Sequence, residues 1–198
     1  MTMQERSMLL DLEITLHAGH QREQQKLMAV LASRLGYSAV VLPNEIASGP
    51  DRAELIADIE GVIDSGVRVI VDDPADRSVV RTTNLAEIRA RRIELGSGPD
   101  SRTLTVAAPI SIGRTMNEAQ ARASRDPRFV GDAHPEMTGI YGTFEQAQAQ
   151  MIELAQAGAT TLRVTLADDF DIADLLAQVK ALMVGPTVVL HEQASRAD

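Results

Sequence analysis

From residue 8 onward the chain switches repeatedly between two spacings of apolar positions. Leu10, Leu12, Ile14 and Leu16 stand at every second position with Asp11, Glu13, Thr15 and His17 between them, which predicts a strand over 8–16 with one polar face. Leu27, Met28, Leu31 and Leu35 then recur at helical spacing up to Gly36, which predicts a helix over 21–35. Residues 38–42 read as a short apolar strand stopped by Pro43. Leu55, Ile56, Ile59, Val62 and Ile63 mark a helix behind Asp51-Arg-Ala-Glu54, the spacing of a capping box. A strand over 67–71 precedes an Arg-rich helix over 78–94 that Gly96 ends. A long strand over 103–112 leads into a helix that opens with a second box, Thr115-Met-Asn-Glu118. Residues 126–142 hold two Pro, three Gly and no periodicity, and read as one long loop. A third box, Thr143-Phe-Glu-Gln146, starts a helix with Phe144, Ala147, Met151, Leu154 and Ala155 on one face. A strand over 161–166, a helix carrying Ile172, Leu175, Leu176, Val179, Leu182 and Met183, and a short strand over 187–190 complete the pattern.

About six such alternations favour a parallel sheet with crossover helices, because parallel neighbours need a connection long enough to return to the same edge. The nearly all-apolar runs VRVIV, TVAAPISI and LRVTL suit strands covered on both faces. A doubly wound open sheet and a (β/α) barrel both satisfy this. A complete eight-unit barrel takes about 250 residues, so a barrel of 198 residues is short of strands. The expected fold is α/β, an incomplete (β/α) TIM-like barrel with mostly parallel strands, forming a single domain over 1–198.

Composition narrows the function. Nineteen Lys and Arg against 28 Asp and Glu give a net charge of −9, and aromatic residues are 3% of the chain, so a surface that tracks phosphates and stacks bases is not expected. The absence of cysteine removes disulfides, thiol nucleophiles and Cys-type metal sites. Asp11 and Glu13 interrupt any leader-like apolar run, and no stretch approaches the roughly 20 apolar residues that span a bilayer. A cytoplasmic protein that binds neither membrane nor nucleic acid is expected.

In either architecture ligands bind at the carboxyl ends of the strands. Those ends carry His17 and His20, Asn44 and Glu45, Asp72 and Asp73, Arg114, and Asp168 with Asp169. His17, His20 and Glu45 are the candidates for acid/base work, and Arg114, Asp72 and Asp168 for holding a ligand. Arg114, charged at every accessible pH, suits a phosphate or carboxylate; its plainer role is to pair with Glu118 one turn on. Asp72-Asp73-Pro74 also fits a turn whose carboxylates meet backbone amides, and Asp168-Asp169 a helix cap. The spacing of His17 and His20 is not a metal signature, and no metal is expected. Gly96-Ser-Gly98-Pro99 follows a helix, the wrong order for a phosphate loop, and no serine elbow occurs. His134 and His191 are expected in solvent.

Several stretches together resemble the bacterial luciferase-like monooxygenase superfamily: GTFEQAQAQMIELAQAGATT before LRVTL, the order of elements in TNLAEIRARRIELGSGPDSRTLTVAAPISIGRTMNEAQARAS, VRVIVDDPAD as the sixth strand, and LGYSAVVLPNE as the turn into the second. The resemblance implies a (β/α)8 barrel that binds reduced FMN or a deazaflavin coenzyme at the strand ends and oxidises a small organic substrate. It also implies a departure, since a second strand joined almost directly to the sixth leaves the middle strands out, and Ile46 follows Glu45 where the family often has His. Two functions follow: a flavin-dependent oxidoreductase or monooxygenase, or a catalytically silent barrel that binds flavin or another ligand, or a partner. Open sheet edges further predict a homodimer, with helices of the first two units against the partner.

Overall fold

The period-two stretches become strands that all run the same way. A computed structural model describes residues 10–17, 19, 21–47, 51–96, 103–129, 134–165 and 172–183. The first half holds β1 (Asp11–Thr15), α1 (Arg22–Arg34), β2 (Ala39–Leu42), α2 (Asn44–Ala47), α3 (Arg52–Glu60) and β3 (Arg68–Val71). The second holds β4 (Val79–Val80), α4 (Leu85–Leu95), β5 (Thr105–Gly113), α5 (Met116–Ala123), α6 (Pro135–Thr138), β6 (Ile140–Thr143), α7 (Phe144–Gln156), β7 (Thr161–Thr165) and α8 (Ile172–Met183).

The sheet has the order β3-β2-β1-β7-β5-β4, and β6 pairs with the last residues of β5. Every pair is parallel. Among the described residues no ladder joins β3 to β4, so the sheet is open on that side and the barrel is incomplete, as expected. Leu12, Ile14, Val40, Leu42, Leu162 and Val164 lie on the outer face, in one core with Met28 and Ala29 of α1, Leu154 of α7 and Leu176 of α8. Fully burying side chains of this size contributes about 1.5–3 kcal/mol each, so these contacts hold the helices on the sheet.

The inner face is different. The register aligns Arg68, Ala39, Glu13, Arg163 and Ala107 in one row across β3, β2, β1, β7 and β5. The next row, toward the carboxyl ends, is Ile70, Val41, Thr15, Thr165 and Pro109.

Several local expectations change. The helix expected over 78–94 begins only at Leu85, where the Asn84 side chain accepts from the amides of Ala86 and Glu87. Val79 and Val80 instead form β4 against Thr105 and Val106, since two adjacent β-branched residues gain more from a buried ladder than from a helix start. The loop over 126–142 contains α6 and β6, and Phe129 and Tyr141 meet there with ring centroids 6.3 Å apart. Asp51 makes no side-chain cap bond at α3. Thr115 accepts from the Glu118 amide, but the Glu118 carboxylate takes the Arg114 amide. Thr143 and Gln146 close their box in both directions. The run VRVIV pairs with β2 in the place of a third strand, whereas β4 occupies the place before β5. The strand expected over 187–190 lies outside the described residues.

Candidate functional site

Ala39 and Ala107 are the small members of the inner row, and the space they leave admits the long charged ones. Arg163 donates from Nε to Glu13 Oε2 at 2.9 Å and from Nη1 to Asp72 Oδ1 at 2.8 Å. Glu13 also meets Arg68 at 3.4 Å, and Arg81 Nη2 donates to both Asp72 oxygens at 3.0 Å. The result is a chain of alternating charge, Arg68–Glu13–Arg163–Asp72–Arg81. Its centre is dry, with the side chains of Arg163 and Glu13 7% and 4% exposed, while Arg68 at 66% and Arg81 at 41% reach solvent. Burying an ion pair is costly unless geometry and further hydrogen bonds compensate, and here each buried partner has two.

Asp72 therefore does more than close a turn. Asp73 makes the expected turn contact, its Oδ1 accepting from the Ala75 amide at 2.9 Å. Three residues on, burial opposes ionisation of Asp76. The hydroxyl and amide of Ser78, with Arg163 and Arg81 nearby, outweigh it and hold the carboxyl below its ordinary range.

Of the other strand-end candidates among the described residues, His17 and Arg114 make contacts of their own. His17 Nδ1 accepts from the Gly19 amide at 3.1 Å, and the His17 carbonyl accepts from Gln25 Nε2 at 3.2 Å. Glu45 is exposed in α2. Arg114 is exposed after β5, and its contact with Glu118 runs through its backbone amide at 2.7 Å, so the expected side-chain ion pair is replaced by a cap. No hydrogen bond or ion pair joins Glu45, Asp72 and Arg114 to one another. His20 and Asp168 lie outside the described residues. The strand order puts His17, Glu45 and Asp72 on three adjacent strands, and Arg114 two strands from β1 on the other side. His134 is exposed as expected, 3.2 Å from Glu136.

The sequence reading missed Arg163, Arg68 and Arg81, and took Glu13 for part of a polar face without a partner. A signal was present: Thr161, Arg163 and Thr165 alternate with Leu162 and Val164 as Glu13 and Thr15 do with Leu12 and Ile14. Chemically, Glu13 and Asp72 are each held by two arginines, which fixes both carboxylates in place in the floor. An anionic ligand would find Arg114 as a side-chain donor at this end. The amino ends of α5 and α7 are capped by Glu118 with Thr115 and by Thr143 with Gln146, so they add little to a phosphate site. A single phosphate or carboxylate on Arg114 fits this donor set. Among the described residues no group of three or more His, Asp or Glu side chains converges as metal ligands, and no helix is long and apolar enough to cross a membrane.

No protein-family model matches the sequence, and no curated protein matches it. Solved structures do. The crystal structure of apo-MsnO8 is similar with a TM-score of 0.61 at 15% identity, over 88% of this chain and 98% of that one. The coenzyme F420 dependent tetrahydromethanopterin reductase from Methanopyrus kandleri is similar with a TM-score of 0.63 at 9% identity, over 89% of this chain and 99% of that one. Such identities speak for the fold alone, which this chain shares with both structures over nearly its whole described length.

Proposed function

We propose that residues 1–198 form one luciferase-like domain that binds a flavin or deazaflavin at the carboxyl ends of its strands and acts as an oxidoreductase or monooxygenase on a small organic substrate. The observation that carries the reading is the likeness, over 89% of the chain, to a reductase described as coenzyme F420 dependent. When bound, such a group supplies hydride transfer. Arg114 would hold its phosphate or carboxylate. His17, whose Nδ1 accepts from the Gly19 amide, would hydrogen-bond a bound ring or pass a proton. Glu45, His20 and Asp168 complete the proposed rim, with Asp72 fixed in the floor below it. The protein would work in the cytoplasm as a homodimer, which light scattering at micromolar concentration tests.

A second reading, a silent ligand-binding barrel, is favoured by one feature: both oxygens of Asp72 are engaged by arginine, which ties this carboxylate into the floor and away from a bound substrate. Titrating FMN, reduced FMN and a deazaflavin into wild type, Arg114→Ala and His17→Ala separates these. We expect wild type to bind one of them and Arg114→Ala to weaken it roughly tenfold to a hundredfold, the scale of a charge-assisted hydrogen bond. Binding without turnover of any small aldehyde, amine or alcohol selects the silent barrel. No binding in either redox state, or unchanged affinity in both variants, rejects the site.

A further inference from the structure

The two outer strands of the sheet, β3 and β4, are joined by seven residues, Asp72 to Ser78, which must travel the height of the sheet because both strands point the same way. Val71 pairs with Leu42, one step beyond Val41 opposite Thr15, and so stands level with Leu16; Val79 pairs with Thr105, which stands level with Thr161 and Asp11. The descent spans 16 − 11 = 5 residues of strand, about 16 Å at roughly 3.3 Å each. Seven residues reach at most about 25 Å when extended, and here they contain turns in which the Asp76 amide donates to the Asp73 carbonyl and the Val79 amide to the Asp76 carbonyl. The segment therefore lies as a strap along the open side.

Charged side chains tie this strap to both halves of the sheet. Asp72, at its upper end, meets Arg163 of β7 across the enclosed face. Arg81 follows β4, one step after Val80, and so continues the row of Arg68, Glu13 and Arg163 at the opposite edge. It donates to Asp72 at 3.0 Å and to the Asp73 carbonyl at 3.3 Å. Asp76 lies within the electrostatic reach of Arg163 and Arg81.

We propose that the barrel is closed along its missing strands by an ionic clasp, in which Arg81 and Arg163 hold the strap through Asp72 where a closed barrel has backbone ladders. A side-chain seam differs from a backbone ladder in one measurable respect. Arg81 is 41% exposed, so dissolved salt screens its arm of the clasp, whereas the ladders of β1 and β7 do not respond to salt in this way.

Amide hydrogen exchange tests the clasp without any ligand. In Arg81→Gln the amides of Asp76 and Val79 should exchange roughly two to five times faster than in wild type, the scale of one half-exposed ion pair. Amides paired between β1 and β7 should keep their rates, and Arg81→Lys should recover part of the protection. Raising salt should speed the same two amides in wild type and leave them unchanged in Arg81→Gln. Equal rates in wild type and Arg81→Gln at both salt concentrations would overturn the proposal. So would a uniform rise that includes β1 and β7, since it would mean general destabilisation.

Discussion

Arg163 is an ionised side chain in the middle of a sheet, and it is tolerated because Ala39 and Ala107 flank the Glu13–Arg163 pair in the register. Removing one partner of such a pair strands the other charge, whereas removing both need not. Arg163→Met should therefore lower stability to urea by about 3–5 kcal/mol, and Glu13→Leu with Arg163→Met by less than the sum of the two single changes. A cost for Arg163→Met below about 1 kcal/mol, the range of exposed pairs, would show that the pair is hydrated. Arg68→Ala should fall within that lower range, because its side chain stands largely in water. Tyr37 gives a pH dependence of known sign. Burial pushes its phenol up, and the hydroxyl donates to the Leu176 carbonyl at 3.1 Å. A group whose pKa is raised on folding contributes its full stability below its unfolded value, near 10 for tyrosine, and loses it as pH rises toward the folded value. Unfolding measured at alkaline pH should thus show wild type weakening above about pH 10, with a flatter curve for Tyr37→Phe. At neutral pH the same variant should be less stable by about 1 kcal/mol for the lost hydrogen bond.

At the scale of elements, helix starts are where the chain's local chemistry is most exposed to test. Asn84 satisfies two amides of α4, so Asn84→Ala should cost about 1 kcal/mol in thermal or urea unfolding. At the far end of α7, Gly158 has φ +106, and a Cβ there would meet Arg92 Cγ at 2.7 Å. Gly158→Ala should destabilise by roughly 1–3 kcal/mol through backbone strain, and it would also disturb the 2.8 Å bond from Arg92 Nε to the Gly158 carbonyl. The same elements explain which parts of the fold were legible in the sequence. Thr143 and Gln146 are local to each other, and their box forms as their spacing says. Asp51 has the same spacing, yet its backbone, at φ −88 and ψ 7, is not in the extended conformation that presents a cap oxygen. β4 has two residues, too few for any period, and it exists because Thr105 and Val106 are beside it, a tertiary cause that no window of sequence contains. VRVIV was legible as a strand but not by position, because apolar runs look alike and only pairing with β2 fixes its place.

For the whole molecule, alternation of strand and helix was enough to give the parallel sheet, and length was enough to give its incompleteness. The floor of the site was legible only as two alternating polar faces, since Glu13 and Arg163 are 150 positions apart in sequence and the alternation around each does not name its partner. Strand-end logic did find Asp72, as a ligand-holding candidate that also fits a turn; its bonds to Arg163 and Arg81 depend on the enclosed face that the sheet creates. The strand order has one more consequence. Every strand before Pro74 lies on one side of the β1–β7 boundary, and every strand after it lies on the other. The exposed turn at Pro74 and Ala75 is thus a place to divide the polypeptide into two coherent pieces, β1 to β3 with their helices and β4 to β7 with theirs. What would rejoin them is the five-residue register of β1 with β7, the shared apolar core, and the bonds from Arg163 to Glu13 and Asp72 across the cut. Expressed separately, the two fragments are expected to find each other, making this chain a split-protein scaffold whose reassembly would depend on an intact Arg163.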